Sequence, residues 1–162
     1  MELLKPVYPR LERFALTLTR NRDDAKDIVG ETVLKAFEGF DTVRDEQAFL
    51  SFLFTICSRV AQSGRYKKRV LASEEQVEEL YRNYTSPETA TDIVLLYQAL
   101  DKLPAEAKEA IILSEISGLT HKEVQEIQGG SLSAIKVRIF RAKKRLAELL
   151  GVQLTEQSLI SE

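Results

Sequence analysis

Along most of this chain apolar residues recur at three- and four-residue steps, the repeat of a helix that buries one face. From Leu4 to Arg20 the buried side would be Val7, Leu11, Phe14, Ala15 and Leu18, with Pro6 and Pro9 disturbing the first turn. A polar break at Asn21-Arg22-Asp23-Asp24 follows, and its acids suit a helix start. The second predicted helix runs from about Asp23 to Glu38. Ala25, Ile28, Val29, Val33, Ala36 and Phe37 face inward, and Lys26, Asp27, Gly30, Glu31, Leu34 and Lys35 face out. Gly30 costs a helix about 1 kcal/mol against Ala. It either lets another helix approach closely or is a tolerated flaw. A loop from Gly39 to Glu46 leads into a third helix, about Glu46 to Lys68, with Phe49, Phe52, Leu53, Ile56 and Val60 inward.

The pattern fails from Val70 to Thr91, where acids and polar residues surround Ser86-Pro87, as in a linker. It resumes at Asp92, with Ile93, Leu96, Leu100 and Leu103 as a stripe. Pro104 suits a first helical position, and Ala107, Ala110, Ile111 and Ile116 carry the next helix to a glycine cap at Gly118. Thr120 and Glu123 form a Thr-x-x-Glu capping box that opens a short helix ending at Gly129-Gly130. Ser131 then caps a longer helix that ends at Gly151. Leu132, Ile135, Ile139, Ala142, Leu146 and Leu149 share its inner face, and Ser133, Val137, Phe140, Arg141 and Lys144 fall on the other. The expectation is an all-α chain of two small helical domains, 1–70 and 92–151, joined by a flexible acidic linker, 71–91, with a loose tail, 152–162.

Composition removes several classes of function. No apolar run is long enough to span a bilayer, so no membrane insertion is expected. No apolar stretch with a cleavage site follows Met1, so no signal peptide is expected either. Cys57 is the only cysteine, which forbids an internal disulfide and fits the cytoplasm. With His121 the only histidine, neither a metal site nor another cofactor is expected. There is no nucleophile–base pair and no glycine-rich phosphate loop, so the chain does not read as an enzyme.

The net charge of −2 hides two cationic clusters. Arg65, Lys67, Lys68 and Arg69 form one, and Lys136, Arg138, Arg141, Lys143, Lys144 and Arg145 form the other. Screening acts over about 8–10 Å, so clusters rather than totals decide phosphate binding. The first cluster, with Tyr66 inside it, can hold a phosphate backbone while stacking an unpaired base. It can equally be a solvated helix end whose cations suit the dipole. The second lies on a helix preceded by a short helix and a glycine turn, the pattern of a DNA-reading helix-turn-helix. There Lys136, Arg138, Arg141 and Lys144 are candidates for phosphates or guanine edges. Ser131 and Ser133 stand at the helix start, and Val137 and Phe140 suit thymine methyls or sugars, or alternatively a protein neighbour.

With both halves placed, the chain resembles the bacterial RNA polymerase sigma factors of the extracytoplasmic-function (ECF) type. The stretch Asp24-Ala25-Lys26-Asp27-Ile28-Val29-Gly30-Glu31-Thr32-Val33-Leu34-Lys35-Ala36-Phe37 looks like that family's polymerase-binding helix. Phe49-Leu50-Ser51-Phe52-Leu53-Phe54-Thr55-Ile56 looks like its promoter-melting helix. Ala99-Leu100-Asp101-Lys102-Leu103-Pro104 and Gly118-Leu119-Thr120 look like the approach to its last region, and 135–146 like its recognition helix. The resemblance implies docking on the clamp of core RNA polymerase through Asp27, Glu31 and Lys35. It implies −10 recognition and melting of promoter DNA by Phe40, Thr42, Arg44, Arg59 and the 65–69 tract, and −35 reading by the last helix. An anti-sigma factor is the further partner it implies. Competing readings are a sigma mimic that only captures an anti-sigma protein, and a dimeric helix-turn-helix repressor. The sequence departs from the family pattern at Gln125, Gln128 and Gly130, which suggests a looser second domain, and at Arg59 and Ser63, which affects the pocket for a flipped base.

Overall fold

The computed structural model describes residues 2–43, 45–63, 66, 79 and 86–153. Among them the chain is helical without strands, and it divides into two compact units: Met1–Ala72 with Ile116–Gly118, and Ser73–Glu115 with Leu119–Glu162. Of the expected linker, 71–78 and 80–85 lie outside the described residues, as do 154–162 of the expected tail.

Among the described residues the first unit is built on α1 (Tyr8–Thr19), α2 (Arg22–Glu38) and α3 (Glu46–Gln62), with a 3-10 turn at Phe40–Thr42. The helix start expected at Leu4 falls at Tyr8, because Pro9 fits only the first turn. Polar caps set the other two starts. Asn21 Oδ1 accepts from the Asp24 amide at 3.0 Å, and Asp45 Oδ1 from the Ala48 amide at 2.7 Å. The core brings together Leu11 and Phe14 from α1, Ile28 and Val29 from α2, and Leu53, Phe54 and Cys57 from α3. The Phe14 and Phe54 rings sit 5.3 Å apart at their centroids, tilted by 50°. Thr32 is fully buried too, its hydroxyl satisfied by donating to the Ile28 carbonyl at 2.7 Å.

Two expectations change here. Phe37 is exposed rather than inward, because Thr32 and Ala36 complete the buried face of α2. In α3 the expected Phe52 and Ile56 are only half-buried, whereas Leu50, Phe54 and Cys57 are buried. The third helix ends at Gln62 instead of Lys68, with Ser63 extended beyond it.

The second unit comprises α4 (Pro87–Asp101), α5 (Ala105–Ile111), α6 (His121–Gln128) and α7 (Leu132–Leu150). Helix α4 begins at Pro87, five residues before the expected Asp92, because Ser86 caps it through its hydroxyl and Pro87 opens its first turn. Pro104 is the N-cap of α5 rather than its first residue. The helix expected to run unbroken to Gly118 widens after Ile111 into a π turn, Ile112–Ile116. The capping box is present: the Thr120 hydroxyl accepts from the Glu123 amide at 3.2 Å, and Glu123 Oε1 from the Thr120 amide at 2.9 Å. Leu100, Ile112, Leu113, Val124, Ile135 and Ile139 form the core.

Candidate nucleic-acid interface

The second unit presents α7 as a helix with two unlike faces. Ile135, Ile139 and Ala142 are buried at the spacing the sequence predicted. Leu132, expected to join them, is 36 % exposed, so apolar packing of α7 starts only in its second turn. Gly129 and Gly130 both adopt positive φ, +80° and +78°, which turns the chain sharply between α6 and α7 and favours glycine at both places. Ser131 then accepts from the Ala134 amide at 3.1 Å and fixes the helix start.

On the outer face Ser131, Ser133, Lys136, Val137, Phe140, Arg141 and Lys144 are all exposed. Val137 and Phe140, at 45 % and 39 %, give an apolar strip between cations. Arg138 differs from its neighbours. Its guanidinium donates to Gln128 Oε1 at 2.7 Å and pairs with Glu106 Oε2 at 3.3 Å, so its charge is engaged within the unit. Lys143 belongs to the interior: its side chain is 9 % exposed and its ammonium lies 2.7 Å from Glu115.

The first unit carries the other candidates. Phe40 is 43 % exposed, and its ring meets Phe49 edge-on at 6.0 Å, which anchors the turn while leaving part of the ring open. Arg59 is exposed on α3. Tyr66, expected to stack an unpaired base, is 7 % exposed, so its ring is packed and not presented. Arg44, Arg65, Lys67, Lys68 and Arg69 lie outside the described residues, as does the side chain of Thr42.

On α2, Asp27 is exposed, and Glu31 and Lys35 pair with each other at 3.2 Å, one turn apart. Gly30 lies open among them: a Cβ built there meets nothing within 4 Å, so no helix of this unit makes use of its small size. Sequence periodicity placed Leu34 on this surface but missed Phe37. Leu34 is 62 % exposed and Phe37 52 %, and Phe37, Val33 and Phe40 border an apolar cleft of about 70 Å³. Phe37 was the signal available, as a bulky residue near a helix end whose buried stripe is already complete. Among the described residues no helix is long and apolar enough to cross a membrane.

Comparison with known proteins joins the two units in one family. The sigma-70 region 2 model matches residues 3–70, and the sigma-70 region 4 model matches residues 93–146. The RNA polymerase sigma factor SigV of Bacillus subtilis is 34 % identical over 149 residues, covering 91 % of this chain and 86 % of that protein. The ECF RNA polymerase sigma factor EcfG of Rhodopseudomonas palustris is 32 % identical, covering 91 % of this chain and 83 % of that one. Among solved structures, the sigma factor RpoE of Bartonella quintana, crystallised with the anti-sigma factor NepR, superposes with a TM-score of 0.71. It is 30 % identical, over 93 % of this chain and 96 % of that one. On the two matched regions and the identity with these relatives over most of both chains, the chain belongs to the extracytoplasmic-function sigma factors of bacterial RNA polymerase.

Proposed function

We propose that the outer face of α7 reads the −35 element in the major groove, while Phe40, Thr42, Arg44, Arg59 and the cations Arg65, Lys67, Lys68 and Arg69 serve −10 recognition and melting. As an ECF sigma factor the chain binds core RNA polymerase, directs promoter-specific transcription initiation and is not an enzyme. The observation that carries the assignment of α7 is its division into faces. Lys136, Arg141 and Lys144 stand exposed opposite buried Ile135, Ile139 and Ala142, on a helix begun by a glycine turn. Three phosphate contacts from those cations correspond to a salt slope of about −2.7, and a bidentate guanine contact to about 1–3 kcal/mol of discrimination.

Docking on core polymerase is assigned to the α2 face of Asp27, Glu31 and Lys35, extended by exposed Leu34 and Phe37. An anti-sigma partner is supported by the Bartonella relative, which was crystallised with one. The cytoplasm is the compartment these partners require.

Run-off transcription with purified bacterial core polymerase on a genomic promoter pool tests the whole. Discrete start sites should appear only when the protein is added, and they should vanish with Lys136→Ala/Arg141→Ala. Start sites that persist unchanged in that double variant would remove α7 as the −35 reader.

A further inference from the structure

Arg138 lies within the cationic run of α7, yet its guanidinium is turned toward α5 and α6. Its guanidinium reaches Gln128 Oε1 at 2.7 Å and Glu106 Oε2 at 3.3 Å, and its side chain is 27 % exposed. Gln128 donates onward through Nε2 to the Glu106 carbonyl at 3.0 Å and to Glu109 Oε1 at 3.1 Å. One polar relay therefore ties α5, α6 and α7 together. Gln125, at the same end of α6, donates to the Gly130 carbonyl at 3.0 Å.

The place of this relay matters. The α6–α7 turn consists of two glycines at positive φ, whose backbones resist bending least. Leu132 is 36 % exposed, so the first turn of α7 is poorly anchored by apolar contact. That turn is the part of a recognition helix that meets base edges. Buried Ile135, Ile139 and Ala142 hold the helix from there on, and the relay adds a polar tie at the end that apolar packing holds least. Gln125 and Gln128, where the sequence departs from the family pattern, are both hydrogen-bonded within the domain.

We propose that Arg138 is a positioning residue: acting through Gln128 and Glu106, it sets the tilt of α7 on α5 and α6 without reading DNA itself. The proposal rests on the assignment of α7 to the −35 element. A fork that must serve an amide oxygen and a carboxylate at once requires a guanidinium, and an ammonium does not replace it.

The test uses holoenzyme assembled from core polymerase and the full chain, on a promoter found by run-off transcription. Promoter affinity is measured against salt concentration and across single-base changes in the −35 element. Arg138→Met, Arg138→Lys, Gln128→Ala and the Met/Ala double variant are compared with Arg141→Ala. Arg138→Met and Gln128→Ala should each weaken −35-dependent binding several-fold, with the double variant no worse than the poorer single, because they break one relay. Preference should weaken at every −35 position, the salt slope should stay at the parent value, and Arg138→Lys should not rescue. Arg141→Ala should make the slope shallower by about 0.9.

The proposal is overturned if Arg138→Met makes the slope shallower by about that amount and relaxes preference at one base pair while Gln128→Ala is silent. Additive losses in the double variant, or no loss in either single, overturn it as well. If Lys136→Ala, Arg141→Ala and Lys144→Ala also leave slope and preference unchanged, the −35 assignment has failed and the proposal falls with it.

Discussion

The Glu115–Lys143 pair should respond unequally to removal of its two partners. Lys143 projects from α7 with 9 % of its side chain exposed, and Glu115, in the π turn, keeps 48 %, with 2.7 Å between ammonium and carboxylate. Glu115→Ala leaves a nearly enclosed ammonium without this carboxylate. Breaking a buried pair costs about 3–5 kcal/mol, and the half-solvated glutamate lowers the figure here to about 2 kcal/mol. Lys143→Met removes the charge itself and refills the space with an unbranched apolar chain. Glu115 then turns to water, and the cost should stay below about 1 kcal/mol. Hydrogen exchange at the Ile139 and Ala142 amides reads the opening of this unit without reference to the other. Exchange there should accelerate about thirtyfold in Glu115→Ala, and less than about fivefold in Lys143→Met. Equal acceleration in both variants, or a larger one in Lys143→Met, would refute the account of the lysine as an enclosed charge.

Thr120→Ala removes one half of the capping box and should cost about 1 kcal/mol, seen as a lower melting temperature, whereas Thr120→Ser should melt near the parent. Gly30→Ala meets open space within a helix and should stabilise the first unit by about 0.5–1 kcal/mol in denaturant unfolding; a loss would mean the space is not there. Leu34→Asp, at a side chain 62 % exposed, should leave melting within about 0.5 kcal/mol of the parent and reduce retention on immobilised core polymerase. Undiminished retention would take Leu34 out of the docking face.

Much of the helical framework was legible because its signals are local. The capping box, the Ser131 cap and the glycine turn each sit within a few residues of what they specify. The inner face of α7 was legible from Ile135, Ile139 and Ala142 for the same reason. The boundaries were less so: Ser86-Pro87 read as a loop signal, yet it is the start of α4. Periodicity also assumes a single buried stripe. Helix α3 meets both α1 and α2, which buries Leu50, Phe54 and Cys57 beyond the stripe that was predicted. At the interface, helical phase placed the exposed residues Ser133, Val137, Phe140, Arg141 and Lys144 well. The same phase could not reveal Arg138's partners, because Gln128 and Glu106 come from other helices and only the tertiary fold brings them near.

The burial of Cys57 makes the first unit its own reporter. Its thiol has no exposed surface, and it is the only one in the chain. A thiol-alkylating reagent can therefore label the protein only when the α1–α3 core opens. The labelling rate at low denaturant measures the free energy of that opening without an introduced probe. The same enclosure keeps mild oxidants from the sulfur while the core is closed, so oxidative damage at Cys57 would accumulate in proportion to the time the core spends open.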